Sequence, residues 1–367
     1  MSKAALLAGA AVAIGALALA GPAGREARGP ARTRAAPPAA PAPRGMIAFH
    51  ADPGGRDDLY AVRPDGSGLR ALTNGMEQVP WARWAPDGRR LAFLARPGGT
   101  SDVYVVRANG AALRRLTDGP GDHYDLAWSP GGRTLAYACC GEEATAIHAV
   151  DVRSGRSRRL VGRAAQPAYS PDGRRLALTS FRRGNADIAV ARADGSRPRR
   201  VTSGRWEDAD PAWSPDGRLL AFDSKRTGRS QVYVARPDGS GLRRVSHDRF
   251  HDAEPAFSPD GATVLFVSYR NRDPLLRGIG DAEVLTADLR TGRVHDLTRT
   301  PAWEGDAAWS PDGRFIAFAV RSDFGPTGTF SLEIMDRSGG HRRRLPAPSA
   351  DGGRAANACC PVWSRGG

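Results

Sequence analysis

Trp213-Ser214-Pro215-Asp216-Gly217-Arg218 runs directly into Leu219-Leu220-Ala221-Phe222. The segment reads as the end of one strand, a tight turn and the start of a second strand. Pro215 presets φ at the first turn position, and Asp216-Gly217 supplies a local side-chain bond followed by a positive φ. The apolar run after it is short and strand-compatible. One such hairpin decides nothing, but the device recurs. Trp84-Ala85-Pro86-Asp87-Gly88, Trp128-Ser129-Pro130-Gly131-Gly132, Tyr169-Ser170-Pro171-Asp172-Gly173, Phe257-Ser258-Pro259-Asp260-Gly261 and Trp309-Ser310-Pro311-Asp312-Gly313 repeat it, and Trp363-Ser364-Arg365-Gly366-Gly367 is a shortened copy.

Each repeat holds four strand-like pieces. A leading strand ends in the motif aromatic. A second strand is of the Leu-Ala-Phe type, a third of the Val-Tyr-Val type and a fourth of the Arg-Arg-Leu-Thr type. Third and fourth are joined by turns such as Asp65-Gly66, Asn109-Gly110, Asp194-Gly195 and Asp238-Gly239, which suit the twist of a hairpin. The motif aromatics stand at 84, 128, 169, 213, 257, 309 and 363, spacings of 44, 41, 44, 44, 52 and 54. A period near that length with four strands per unit is the signature of propeller blades. The first strand-like piece, Ile47-Ala48-Phe49, is of the second type, and the last, ending in Trp363, is of the leading type. The expectation is an all-β, seven-bladed β-propeller of four-stranded blades. Its ring is closed by the N-terminal second strand and the C-terminal leading strand, which leaves no open edge. Six blades are the alternative, with an eroded unit around 135–160.

The 367 residues include 44 Gly and 28 Pro, as a turn-rich β protein requires, and the formal net charge is +14. The arginines are spread over every repeat beside turns and in the fourth strands. That favours a solvated rim over a nucleic-acid groove. Residues 1–20 read as a signal peptide: Lys3, an Ala-rich apolar run, and Ala18-Leu19-Ala20 as a cleavage site. An uncleaved membrane tether is the alternative. Residues 21–45 are a Pro/Ala/Arg-rich stretch that cannot bury a core and is expected to be a disordered linker. Residues 46–367 are the propeller. The expected location is secreted or cell-envelope, and a monomer with no further membrane-spanning segment is expected.

The recurring Trp-Ser-Pro-Asp-Gly hairpin resembles the repeat of the TolB-like β-propeller family, over about residues 46–367. The resemblance implies an exported or envelope-associated propeller that binds proteins or other ligands. The chain departs from TolB in lacking a small α/β domain before the propeller and in having seven units where TolB has six. Similar propellers also precede the catalytic domain of prolyl oligopeptidase-like enzymes, and no such domain is expected here.

Chemistry is expected where loops collect at one end of a rigid scaffold, the end where the leading strands begin. Three places before the motif aromatic stand Trp81, Asp125, Gln166, Asp210, Glu254, Asp306 and Cys360. Five places before it stand His123, Asp208, Asp252 and Glu304, with Tyr124, Trp206, Phe250 and Trp303 nearby. Read as paired carboxylates around the channel mouth, Asp208, Asp210, Asp252, Glu254, Glu304 and Asp306 are candidate ligand contacts. Trp206 and Trp303 would be apolar anchors, and His251 and His123 polar neighbours. Clustered carboxylates suit a basic peptide or Ca²⁺, the latter at Asp210, Glu254 and Asp306. The competing reading is structural: these acids bond backbone amides at the start of the leading strands.

The four cysteines form two vicinal pairs, Cys139-Cys140 and Cys359-Cys360. Export makes disulfides the expectation, with three possible pairings. A Cys₄ zinc site is the alternative. Two long connections, Arg270–Asp281 and Arg321–Thr329, are expected to overhang the mouth. His-Glu-x-x-His, Gly-x-Ser-x-Gly and phosphate-loop motifs are absent from the sequence. The function expected is non-catalytic recognition of a protein, peptide or glycan, with no nucleic acid and no cofactor beyond calcium. A carbohydrate-active hydrolase or lyase, or a structural module of an envelope complex, are the alternatives.

Overall fold

The computed structural model describes residues 44–364 except 54–56, 77, 98, 120, 141–144, 183, 271–280, 322–328 and 350–356. Of residues 78–81 and 140 only the backbone is described. The expected signal peptide, nearly all of the expected linker and the interiors of the long connections lie outside the described residues. All strands belong to the compact unit that begins at Ala42. Among the described residues there are strands and turns and no helix.

Hydrogen bonding collects the strands into antiparallel four-stranded sheets. One eight-stranded sheet consists of two such sets joined by a single parallel bridge, Ala282 to Trp303. The region 135–160, expected as the weakest, is fully formed: Thr134–Cys140, Thr145–Asp151 and Ser157–Gly162 pair in order. One sheet draws on both extremities of the described chain. Asn357–Trp363 pairs with Ile47–Asp52, with Ile47 opposite Trp363. The leading strands touch in sequence, from Gln78–Trp84 through His123–Trp128, Ala164–Tyr169, Asp208–Trp213, His251–Phe257 and Trp303–Trp309 to Asn357–Trp363. That last strand touches Gln78–Trp84 again.

The motif residues explain the hairpins. The Ser214 hydroxyl donates to Asp216 Oδ1 at 2.6 Å and accepts the Leu219 N–H at 2.9 Å. Asp216 Oδ1 accepts the Arg218 N–H at 3.0 Å, and Gly217 takes a φ of +68° that a side chain would resist. The apolar core lies between neighbouring sets. Phe49, Phe93, Phe222, Phe266 and Phe318, each in the middle of a Leu-Ala-Phe-type strand, are completely buried, each worth about 1.5–3 kcal/mol in removal from water. One cluster joins Ile47 and Phe49 to Ala317, Leu332 and Ile334, packing the two extremities of the described chain together.

Polar bonds lock adjacent sets at two radii. At the inner edge, the indoles of Trp84, Trp128, Trp213 and Trp309 each reach the carbonyl just before the preceding motif aromatic, whereas Trp363 donates to Arg44 O. Trp84 donates to Val362, Trp128 to Arg83 and Trp213 to Ala168. At the rim, the first arginine of the fourth strand donates to a carbonyl in the next set's turn. Arg70 reaches Ala108 O at 2.6 Å, Arg243 reaches Leu289 O at 2.9 Å, and Arg343 reaches Pro64 O. Much of the basic excess is thus committed to holding sets together.

Candidate functional site

The residue three places before the motif aromatic occupies the left-handed region in six repeats: Asp125 (φ 54°), Gln166 (53°), Asp210 (53°), Glu254 (61°), Asp306 (50°) and Cys360 (58°). Strand register shifts at each of these points, so each is a β-bulge. A non-glycine residue in this conformation costs on the order of 1–2 kcal/mol. The bulge turns its N–H toward the neighbouring set, where a side chain receives it. Gln166 N–H donates to Asp125 Oδ2 at 3.0 Å, and Asp210 N–H donates to Gln166 Oε1 at 3.1 Å. Asp306 accepts hydrogen bonds from both the main chain and the thiol of Cys360. These bonds connect one inner strand to the next. The Gln166 amide also donates to Asp210 Oδ1, and Tyr269 donates to Glu254 Oε1 at 2.6 Å.

Arg83 joins this ring, although nothing in the acidic pattern singled it out. It stands one place before its motif aromatic, where the other repeats carry Ala or Val. Its side chain remains solvent-accessible although protein surrounds it. Enclosure lowers its pKa, against the opposing pull of Asp125, Asp210, Cys360 and Glu254. Burial, with a smaller contribution from the charge of Asp210, raises Asp125 to about 6, against the Gln166 N–H and Arg83. Burial also raises Asp306, against Cys360 and Arg83.

The residues five places before the motif aromatic do not join that ring. Exposure is 4 % for His123, 1 % for Asp208, 0 % for Asp252 and 0 % for Glu304. In a regular strand, residues two apart face the same side. The bulge between them breaks that phase, so the expected pairs of carboxylates around the mouth are separated. Each buried group has its own surroundings. Arg226 grips both oxygens of Asp208 at 2.9 Å. Arg342 meets Glu304 Oε1 at 2.6 Å. His123 Nδ1 lies 2.5 Å from Ser101 O and 3.8 Å from Asp102 Oδ1. Asp252 lies nearest Ser246, Ser268 and Asp248, and burial, with the charge of Asp248, raises it to about 7.

Of the expected aromatic anchors, Trp206 is half-buried beneath Arg205, whose guanidinium lies 4.5 Å from the ring centroid. Trp303 is inside rather than on the rim, 7 % exposed and edge-on to Phe330 at 5.2 Å. His251 is half-buried and accepts the Ser230 N–H at 3.4 Å. The Trp81 side chain lies outside the described residues.

Among the described residues, Cys359 and Cys360 are unbridged. A bridge between the two pairs is opposed by packing. Cys139 rests on the cluster of Leu126, Leu135 and Tyr137, whereas Cys359 rests on Val267, Ala282, Trp303 and Ala319. The Cys140 side chain lies outside the described residues. The calcium expectation grouped Asp306 with Asp210 and Glu254. Among the described residues, the His, Cys, Asp and Glu groups whose donor atoms all come within 4.8 Å of one another are instead Asp306, Cys359 and Cys360.

A second repeated device was also missed. The first residue of the third strand pairs with a hydroxyl 15 positions later. Thr73 donates to Asp58 at 2.7 Å, Thr117 to Asp102 at 2.9 Å and Ser246 to Gln231 at 3.3 Å. The same hydroxyls accept the N–H of Leu59, Val103 and Val232. The spacing is readable in the sequence and belongs to the scaffold.

A family model for the TolB β-propeller domain matches residues 127–364. A search of curated proteins returns no match. Among solved structures, TolB from Acinetobacter baumannii is 20% identical, with 87% of this chain and 83% of that chain covered and a TM-score of 0.55. An oligogalacturonate lyase from Vibrio parahaemolyticus is 14% identical, covering 78% and 86%, with a TM-score of 0.60. A puromycin-hydrolyzing peptidase from Mycobacterium tuberculosis is 18% identical, with a TM-score of 0.62. There 84% of this chain corresponds to 54% of the peptidase. At these identities the likeness is one of fold. The family match spans more than half of the chain and takes in most of the hairpin repeats, so the chain belongs to the TolB β-propeller domain family.

Proposed function

We propose that the chain is an exported, non-catalytic recognition propeller that holds a cationic segment of a protein or peptide against its acidic inner wall. It has seven blades, and the ring is completed by Ile47–Asp52 and Asn357–Trp363. The strand pairing of Ile47 with Trp363 and the cyclic contacts of the leading strands support this architecture. The segment Met1–Ala20 supports export.

One observation carries the recognition reading. Asp210 and Glu254 remain exposed on the inner wall, while Asp208, Asp252 and Glu304 are buried in the body. Among the described residues, the wall therefore carries Asp125, Asp210, Glu254 and Asp306 around Arg83. An incoming lysine or arginine would meet preorganised carboxylates at little cost in rearrangement.

The test is fluorescence anisotropy with labelled basic, neutral and acidic peptides and with neutral glycans, on the full chain. The basic peptides should bind best and lose affinity as salt rises. Asp210→Asn with Glu254→Gln should weaken them about tenfold or more. Equal binding of acidic and basic peptides, or no loss in the double variant, would refute the reading. So would preferred binding of a neutral glycan.

A further inference from the structure

We propose that Asp306, Cys359 and Cys360 form a three-donor site for a thiophilic divalent cation of the zinc class. The proposal is independent of the peptide reading.

Neighbouring side chains in a strand point to opposite faces, so Cys359 and Cys360 should diverge. They do not: their sulphurs lie 2.6 Å apart. The left-handed Cys360 and the register slip beside it bring the two together. Asp306 occupies the same repeat position on the adjacent leading strand, also left-handed, and its carboxylate lies within 4.8 Å of both sulphurs. Two consecutive bulges thus bring three donors from two strands to one point.

The donor set selects the ion. Thiolates favour zinc-class cations over calcium or magnesium, and a carboxylate is an acceptable third ligand. With metal–sulphur distances of about 2.3 Å, the sulphurs would move apart by about 1 Å on binding. All three residues are partly accessible, which leaves a path of entry and a fourth position for water. Charge is consistent as well. Two thiolates and a carboxylate around a divalent cation carry one net negative charge, and Arg83 lies within electrostatic reach of Cys360 and Asp306. Binding displaces the two thiol protons into solvent and involves no change of oxidation state.

The experiment uses the full chain, reduced with a phosphine, titrated first with Co²⁺ and then with Zn²⁺. Thiolate-to-cobalt charge transfer in the near ultraviolet and native mass spectrometry are the readouts. One Co²⁺ per chain, displaced by Zn²⁺, is expected. Cys359→Ser and Cys360→Ser should abolish the band, and Asp306→Asn should weaken binding about tenfold or more. Cys139→Ser should leave it unchanged. The absence of a cobalt band, a band that survives Cys360→Ser, or loss of the band in Cys139→Ser would overturn the proposal. So would a Cys359–Cys360 disulfide that persists in the reductant. If the cysteine variants fail to fold, as judged by circular dichroism, Asp306→Asn and Cys139→Ser decide the question.

Discussion

Gln166 and Asp210 hold each other in both directions across 44 positions of sequence: the amide of Gln166 donates to the Asp210 carboxylate, and the main-chain N–H of Asp210 donates back to Gln166 Oε1. The same Oε1 accepts the Thr179 hydroxyl at 2.6 Å. One side chain therefore ties the bulge of its own set to the bulge of the next. Gln166→Leu removes both acceptor bonds while keeping most of the volume. We expect a loss of about 1–3 kcal/mol, read as a lower midpoint in urea unfolding. An unchanged midpoint would show that water replaces these bonds without cost.

Asp208 and Arg226 form an enclosed ion pair beside a bulge. The carboxylate is 1 % exposed and both of its oxygens are engaged. Asp208→Ala leaves the guanidinium without its partner and should cost about 3 kcal/mol or more. Asp208→Ala with Arg226→Met should recover a substantial part of that loss. A double variant as unstable as the single one would mean that Arg226 acts mainly through its packing on Tyr233.

The indole of Trp213 donates to Ala168 O at 2.9 Å, linking the inner edges of two sets. Trp213→Phe keeps an aromatic ring but removes the donor. A stability loss of about 1 kcal/mol is expected, lowering the thermal midpoint by about 2 °C. Phe257 fills the same place in its repeat without any donor, so the fold tolerates the exchange and the variant should remain assembled. Aggregation instead of a modest shift in calorimetry would contradict this.

Asp252 gives stability a dependence on pH. In the fold its carboxyl stays protonated up to about 7, because of burial and then the charge of Asp248, whereas in the unfolded chain it ionises near its ordinary value. The unfolded state thus releases the proton first. Asp252 therefore contributes stability that is present at low pH and is lost as pH rises through about 7. Asp252→Asn lacks this dependence. The variant should gain on the wild type between about pH 4 and pH 8 in urea unfolding. A gap that narrows over the same interval would reverse the sign and discard the assignment.

The hairpins were legible because their chemistry is local. Ser214, Asp216 and Gly217 satisfy one another within six residues, so residue type and spacing suffice. The bulge positions were legible only by half. Asp125, Asp210, Glu254 and Asp306 were found from their recurrence, but Asp208, Asp252 and Glu304 were assigned to the same side. The error is one of phase. A bulge residue with positive φ is usually announced by glycine, and here Asp, Gln, Glu and Cys fill the place, so nothing in the residue types marked the break. Arg83 could have been found as the exception in a column of Ala and Val. The placement of the cysteines has no such signal, since the separation of Cys139 from Cys359 is a matter of which sets they pack between.

Partnership of Ile47 with Trp363 sets an order on biogenesis. The earlier strand of this pair has its hydrogen-bonding neighbour made more than 300 residues later. Until then, Ile47 and Phe49 lack the neighbours that bury them, and a nascent chain carries an unfinished sheet at its leading end. A chain halted before Asn357 therefore lacks the strand that pairs with Ile47–Asp52 and should be held by chaperones or degraded.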